Sequence, residues 1–389
     1  MNPSTRFLFS LLLLLLCAGA TLSFAPLQES PTGVTVRGTV QNFAPVTDQM
    51  LRNPAPVDWL MLRHDYSATS YSPLDQINVN NVKTMKLTWM WPMREGGTNQ
   101  PAPLVYNGTL YLANTGGIVQ ALDARTGKLI WEHRVGADVA PRGLALYRNM
   151  LIFHSMERWA VTRQDAFLVA LDARTGELVW KVQMPDAYAS NSGSLIANGL
   201  IIQGMGTCQV YEEKKCFISA YDPANGKQVW RFRTIALSGE PGGNTWGGLP
   251  DIYRAGAETW ITGSYDPDLN ITYWGTTQAK PWMPVSRNME SAASALSSSS
   301  TLALNASTGA LVWHRQVQIE VTFEGSSQAD RLTAAPTADG PFEQMLSADL
   351  LNYDIARQWR WEAAVPQAPA RSDTLAPRYK ITVDHDGLY

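Results

Sequence analysis

Cysteine is almost missing from this chain: its 389 residues hold three, at positions 17, 208 and 216. That scarcity excludes a disulfide-stapled scaffold and a four-thiolate metal centre. No Cys-x-x-Cys-His occurs, so no c-type haem is attached covalently. Charge is sparse too, at 17% of residues with a net charge of −3, which leaves no basic field for nucleic acid. The main apolar run, Phe7–Cys17, is shorter than the roughly 20 residues a membrane-spanning helix needs, so no stable membrane anchor is expected. With Arg6 before it and the small-x-small Ser23-Phe24-Ala25 after it, residues 1–25 read as a secretory signal peptide cleaved near Ala25. The expected location is periplasmic or secreted.

Tryptophan, by contrast, is abundant, with 14 copies, and four of them end a repeat. Ala121–Trp131 reads A-L-D-A-R-T-G-K-L-I-W and returns at Ala170–Trp180 as A-L-D-A-R-T-G-E-L-V-W. Drifted copies end at Trp230 and Trp313, so the spacings are 49, 50 and 83 residues. A period near 50 means one supersecondary unit copied around an axis. Each copy reads as strand, Asp-initiated turn with a Gly suited to positive φ, then strand. Upstream, Leu104–Leu112 is broken by Asn107-Gly108 and Leu195–Gln203 by Asn198-Gly199, a strong hairpin signal between apolar runs. Three to four short antiparallel strands per unit, with a Trp wedged against the neighbour, predict an all-β propeller. A stacked β-solenoid is the alternative.

The chain divides into the leader, a polar lead-in at 26–54, a propeller body at 55–316 and a divergent segment at 317–389, where the motif stops. Four visible motifs are few for a closed ring, so cryptic blades within 54–110 and 317–389, or truncation, are both consistent with the pattern. After leader cleavage two cysteines remain, eight apart. In an oxidising compartment Cys208 and Cys216 favour a disulfide that stiffens the loop between them, with two free thiols as the alternative.

The 83-residue gap holds an insertion dense in glycine and tryptophan, including Gly242–Gly247, Thr259-Trp260-Ile261-Thr262-Gly263-Ser264-Tyr265-Asp266-Pro267-Asp268 and Tyr273–Trp282. Glycines beside indoles let backbone approach a flat ligand closely. With the Trp motifs, and with Asp58-Trp59, Tyr71–Asn78 and Asn81-Val82 at the front, this insertion resembles the quinoprotein alcohol dehydrogenases. These are eight-bladed propellers that bind pyrroloquinoline quinone (PQQ) on the central axis. The resemblance covers roughly 55–316.

It implies that Trp260 stacks on the quinone and Arg142 pairs with its carboxylates, as a guanidinium suits, while Gly206 and Thr207 lie in the segment lining the cofactor. It also implies a hard cation, usually calcium, held by the quinone, an Asn and a Glu. Here those positions fall on Gln278, 18 residues after Trp260, and on Gln209, with Glu212 and Glu213 close by. The family's adjacent cysteines have no counterpart, since Gly136 and Ala137 stand there. The catalytic base falls on Glu324, eleven residues past Trp313, as a carboxylate able to take an alcohol proton. Asp266 and Asp268 look catalytic but suit a turn better.

The expected function is exported oxidation of a small alcohol by PQQ, with electrons leaving to an external acceptor such as a cytochrome c. The alternatives are a non-catalytic propeller serving as a binding or assembly scaffold and an inactive, truncated relative.

Overall fold

A computed structural model describes residues 32–93, 100, 102–140, 142–156, 166–187, 192–206, 208–280 and 295–316, plus the backbone of strands at 319–324 and 378–383. Residues 1–31, where a signal peptide is expected, lie outside the described residues, as do Thr207 and Trp282.

Antiparallel sheets account for nearly all the regular structure. The first comprises β1 (Gly33–Val36), β2 (Leu104–Tyr106), β3 (Thr109–Asn114), β4 (Ile118–Asp123) and β5 (Leu129–Arg134), in the order β1-β5-β4-β3-β2. The second holds β6 (Asp138–Val139), β7 (Ala145–Tyr147), β8 (Met150–Met156), β9 (Ala166–Asp172) and β10 (Leu178–Gln183). It runs β10-β9-β8-β6, with β7 also on β8. The third is β11 (Leu195–Ala197), β12 (Leu200–Gln203), β13 (Phe217–Tyr221) and β14 (Gln228–Arg233), paired in that sequence. Next come β15 (Ala255–Gly256), β16 (Ser264–Asp266), β17 (Ile271–Gly275), β18 (Ala279–Lys280), β19 (Ser300–Asn305) and β20 (Leu311–Gln316). The fourth sheet runs β16-β17-β19-β20, and β15 pairs with β18. Each sheet is a meander of the kind that makes a propeller blade.

The turns follow from their side chains. Asn107 and Gly108 have φ of 47° and 73°, and Asn198 and Gly199 have 49° and 71°, the left-handed pair that matches strand twist in a two-residue hairpin. In the Asp-Ala-Arg-Thr-Gly turn, Asp123 Oδ1 accepts from the backbone N–H of Arg125 and Thr126 and from the Thr126 hydroxyl, at 2.8–3.1 Å. Those hydrogen bonds, the Thr126 hydroxyl foremost, hold the carboxyl below its ordinary range.

The repeated tryptophans join one sheet to the next. The indole N–H of Trp131 donates to the Ala173 carbonyl at 3.2 Å, that of Trp180 to Pro223 at 3.1 Å and that of Trp230 to Ala306 at 2.9 Å. Each acceptor follows the Asx residue of the next motif, and each ring lies over that motif's glycine. A Cβ at Gly176 would come within 2.6 Å of the Trp131 ring, and one at Gly309 within 2.4 Å of Trp230. The motif glycine therefore answers two demands, a φ near 72° at both positions and an indole overhead.

Trp89 makes the same contact with the first sheet: its N–H donates to the Ala124 carbonyl at 3.1 Å and its ring covers Gly127. It is a fourth docking tryptophan, inside the stretch where a cryptic blade was expected. Trp313, the last of the repeat, is 36% exposed and touches Tyr273 with ring centroids 5.8 Å apart.

The lead-in is more structured than its polar, Pro-rich composition suggests. It supplies β1 and the short helix α1 (Asp48–Arg52), N-capped by Thr47. Tyr147 donates to Asp48 at 2.8 Å and Tyr106 to the Ala44 carbonyl at 3.0 Å, which strap it across the first two sheets. Beyond the motif region, β21 (Ile319–Glu324) pairs in antiparallel register with β22 (Arg378–Val383).

The main core runs through all four sheets, with Trp131, Tyr111, Phe153, Ile202, Tyr221 and Trp274 among its large members. A smaller cluster of Ile235, Trp246, Ala257, Ala279 and Ala295 lies under the insertion.

Candidate functional site

Four loops converge where the second, third and fourth sheets meet. The Arg142-Gly143 loop bridges Ser192 in parallel, and at the crossing a Cβ on Gly143 would sit 2.8 Å from the Gly193 Cα. Only glycine on both segments permits that approach. Thr262 donates to the Gly193 carbonyl at 3.2 Å, which brings in the loop between β15 and β16. That loop also clasps the segment after β12: the N–H of Met205 donates to the Thr259 hydroxyl, and the N–H of Thr259 to the Met205 carbonyl, both at 2.8 Å. Gln203, fully buried, ties the third sheet to the same point through its amide, which donates to the Ser192 carbonyl at 2.9 Å.

Trp260 sits between two anchored neighbours, Thr259 and Thr262, yet its own side chain is 40% exposed. Trp246 and Trp274 of the same insertion are fully buried. Their indole N–H groups donate to the Leu296 carbonyl at 2.7 Å and the Thr272 hydroxyl at 2.8 Å. Among the described residues, the tryptophans of the insertion thus resolve into two core residues and one presented ring.

Arg142 is half-buried, and its Nη1 is buried with no hydrogen-bond partner among the described residues. A buried guanidinium N–H without an acceptor is costly, and a carboxylate supplied by a ligand would satisfy it. Arg142 and Trp260 therefore fit a flat, carboxylated group such as PQQ. Gly206 is buried beside Met205 in the clasped segment. Ala137 occupies the cysteine-less position; its carbonyl lies so close to Gly117 that a Cβ there would be 2.1 Å from it.

Cys208 and Cys216 form a disulfide, with Cα atoms 5.7 Å apart, and both are buried. The loop they close carries Gln209 on its exposed side; the backbone N–H of Gln209 donates to Glu212 at 3.4 Å. Gln278 is exposed as well, and its carbonyl accepts from Ala257 at 3.2 Å. Among the described residues no group of three His, Cys, Asp or Glu side chains is placed to hold a metal. The two glutamines do not make an oxygen-rich cage, so the described residues there do not fit a divalent cation. Glu324 ends β21, in register with Arg378 on β22; its side chain lies outside the description.

Two residues at this site gave no sequence signal. Glu258 is completely buried, and its carboxylate pairs with the Lys280 ammonium. The partners are 22 residues apart across an irregular hairpin, a separation that matches no helical or strand period. Asp266 and Asp268 are turn residues: Asp266 Oδ1 accepts from the N–H of Asp268 and Leu269 at 2.9 and 3.0 Å, and Asp268 pairs with Arg52. A cleft of about 700 Å³ beside that turn is lined by the same two acids and by His64, Tyr66 and Tyr273, and Arg142 does not line it.

Residues 59–320 match the family model described as the PQQ-type glucose/ethanol/alcohol dehydrogenase β-propeller domain. The quinoprotein alcohol dehydrogenase PedH of Pseudomonas putida is 33% identical over 309 residues, covering 69% of this chain and 49% of that protein. The dehydrogenase subunit of the quinone-dependent alcohol dehydrogenase of Gluconobacter oxydans is 32% identical, over 67% of this chain and 38% of its own length. Among solved structures, the quinohemoprotein alcohol dehydrogenase of Comamonas testosteroni superposes with a TM-score of 0.62 at 26% identity, over 72% of this chain and 46% of that one. The chain spans half or less of the length of these relatives. Sheet topology, docking tryptophans and sequence agree: the chain belongs to the PQQ-type alcohol dehydrogenase β-propeller family.

Proposed function

We propose that this protein binds PQQ at the convergence of the Arg142, Gly193, Gly206 and Trp260 loops and oxidises a small alcohol there. The unpartnered Nη1 of Arg142, a residue whose backbone crosses the Ser192-Gly193 segment that Thr262 ties to the Trp260 loop, carries the reading. Arg142 would hold a quinone carboxylate and Trp260 would lie against the ring face, with Thr259 and Thr262 fixing the angle of the indole before the ligand arrives. Gly206 and Thr207 would line the edge of the pocket. When bound, PQQ supplies a two-electron acceptor for the carbinol carbon. Glu324 is proposed as the base that takes the alcohol's hydroxyl proton at its carboxylate. Electrons would pass to a separate acceptor such as a cytochrome c, after export by cleavage near Ala25. Calcium, which the family resemblance implies at Gln209 and Gln278, plays no part in this reading.

A non-catalytic scaffold is the second reading, favoured by the exposure of both Gln209 and Gln278. Quenching of tryptophan emission on adding PQQ separates the two, followed by dye reduction with a panel of primary alcohols. Arg142→Ala should weaken quinone binding by about 2–5 kcal/mol, as loss of a buried charge partner does. Trp260→Ala should weaken it on the order of tenfold. Glu324→Gln should bind the quinone normally and fail to turn over. Absence of any quinone binding would leave the scaffold reading in its place.

A further inference from the structure

Glu258 places a carboxylate at zero exposure two residues before Trp260. A buried carboxylate stays ionised only when it is neutralised and its lone pairs are engaged, and here both oxygens are engaged. Oε1 accepts from the Lys280 ammonium and from the backbone N–H of Cys208 at 3.3 Å, and Oε2 accepts from the Thr277 hydroxyl. The same ammonium donates to the Cys208 carbonyl at 3.3 Å. One positive centre thus bridges a carboxylate oxygen and a main-chain carbonyl, the donor types a hard cation selects.

Its location is as telling as its partners. Cys208 immediately precedes Gln209, and Lys280 follows Gln278 by two residues. The ammonium therefore lies between the two segments that the family resemblance nominates for a metal, while both glutamines are turned to solvent. A divalent ion brought to the same oxygens would meet a fixed like charge and a carboxylate already neutralised.

We propose that Lys280 is the resident cation of this site, held by Glu258 and the Cys208 carbonyl, and that the site takes no divalent metal. The Lys280 side chain is 24% exposed. Of its three N–H donors two are directed to Glu258 and Cys208, which leaves the third for an oxygen of the bound quinone. That last contact rests on the quinone reading; the exclusion of a metal does not.

Two measurements on the full chain separate them. Calorimetric titration of calcium into the protein without quinone should show no binding to wild type. It should show binding to Lys280→Met, where Glu258 loses its partner. PQQ affinity, read by tryptophan quenching, should be the same for wild type in EDTA and in calcium. For Lys280→Met it should fall on the order of tenfold in EDTA and recover when calcium is added. The double variant Glu258→Gln/Lys280→Met, which buries no unpaired charge, should bind PQQ weakly in both conditions and no calcium in either. Calcium binding by wild type would overturn the proposal, and unchanged PQQ affinity in folded Lys280→Met would overturn its quinone contact. If wild type binds no PQQ, the quinone reading falls, and the wild-type calcium titration still decides for or against the resident cation.

Discussion

His133 shows how a single side chain can link blade junctions to pH. It is buried on β5, and since the Gly176 carbonyl can only accept, Nδ1–H must be the donor in their 2.7 Å contact. Burial, opposed by that hydrogen bond and by Glu177, holds the imidazole below its ordinary value of 6.5. The folded state therefore binds fewer protons than the unfolded state once pH falls below that value. The contribution is complete above pH 6.5 and is lost as pH drops towards the depressed folded pKa. Melting temperature should decline more steeply between about pH 7 and about pH 5 in wild type than in His133→Gln. Equal slopes would place the acid sensitivity elsewhere. At this scale the sequence was only partly readable. Arg142 and Trp260 sit in motifs that count out along the chain, and the Cys208–Cys216 spacing suggests its own loop. Counting also reaches Gln209 and Gln278, but it cannot reveal that both face solvent, nor that Glu258 and Lys280 meet behind them.

The working element is the tryptophan-bearing strand rather than the blade as a whole. Trp131, Trp180 and Trp230 each reach a carbonyl and a glycine of the following sheet, so the strand that ends one repeat also closes the next. Trp131→Ala should destabilise by about 3–5 kcal/mol, as a buried large-to-small change does. Trp313→Ala, at the exposed end of the series, should cost about 1 kcal/mol or less. Denaturant midpoints at constant m-value would check the contrast, and similar losses would mean that Trp313 is docked in solution. These elements were largely legible because Asx-turn, glycine and indole recur at fixed spacing. β1 was not, since a strand added at a sheet edge needs no alternation of its own. It pairs with β5 through the backbone and through the Thr35 hydroxyl, which donates to Glu132 at 2.7 Å. Trp89 escaped notice for a different reason: it keeps the indole but lacks the A-L-D-x-x-T-G turn before it.

For the whole molecule, the docking rule creates a polarity. The exposed Trp313 is a knob, and the turn at Ala124–Gly127 is the matching socket on the first sheet. An open knob and an open socket on one molecule can make a heterologous contact, which propagates into open filaments when the rotation does not close. Trp89 fills the socket from within the same chain. A filled socket is closed to the Trp313 of a second copy. Trp89→Ala should therefore cause more than a local loss of packing. Light scattering should rise with protein concentration in that variant and stay flat in wild type, and the rise should vanish when Trp313→Ala is added. A side chain that carries no repeat signature would then be the one that keeps the molecules apart.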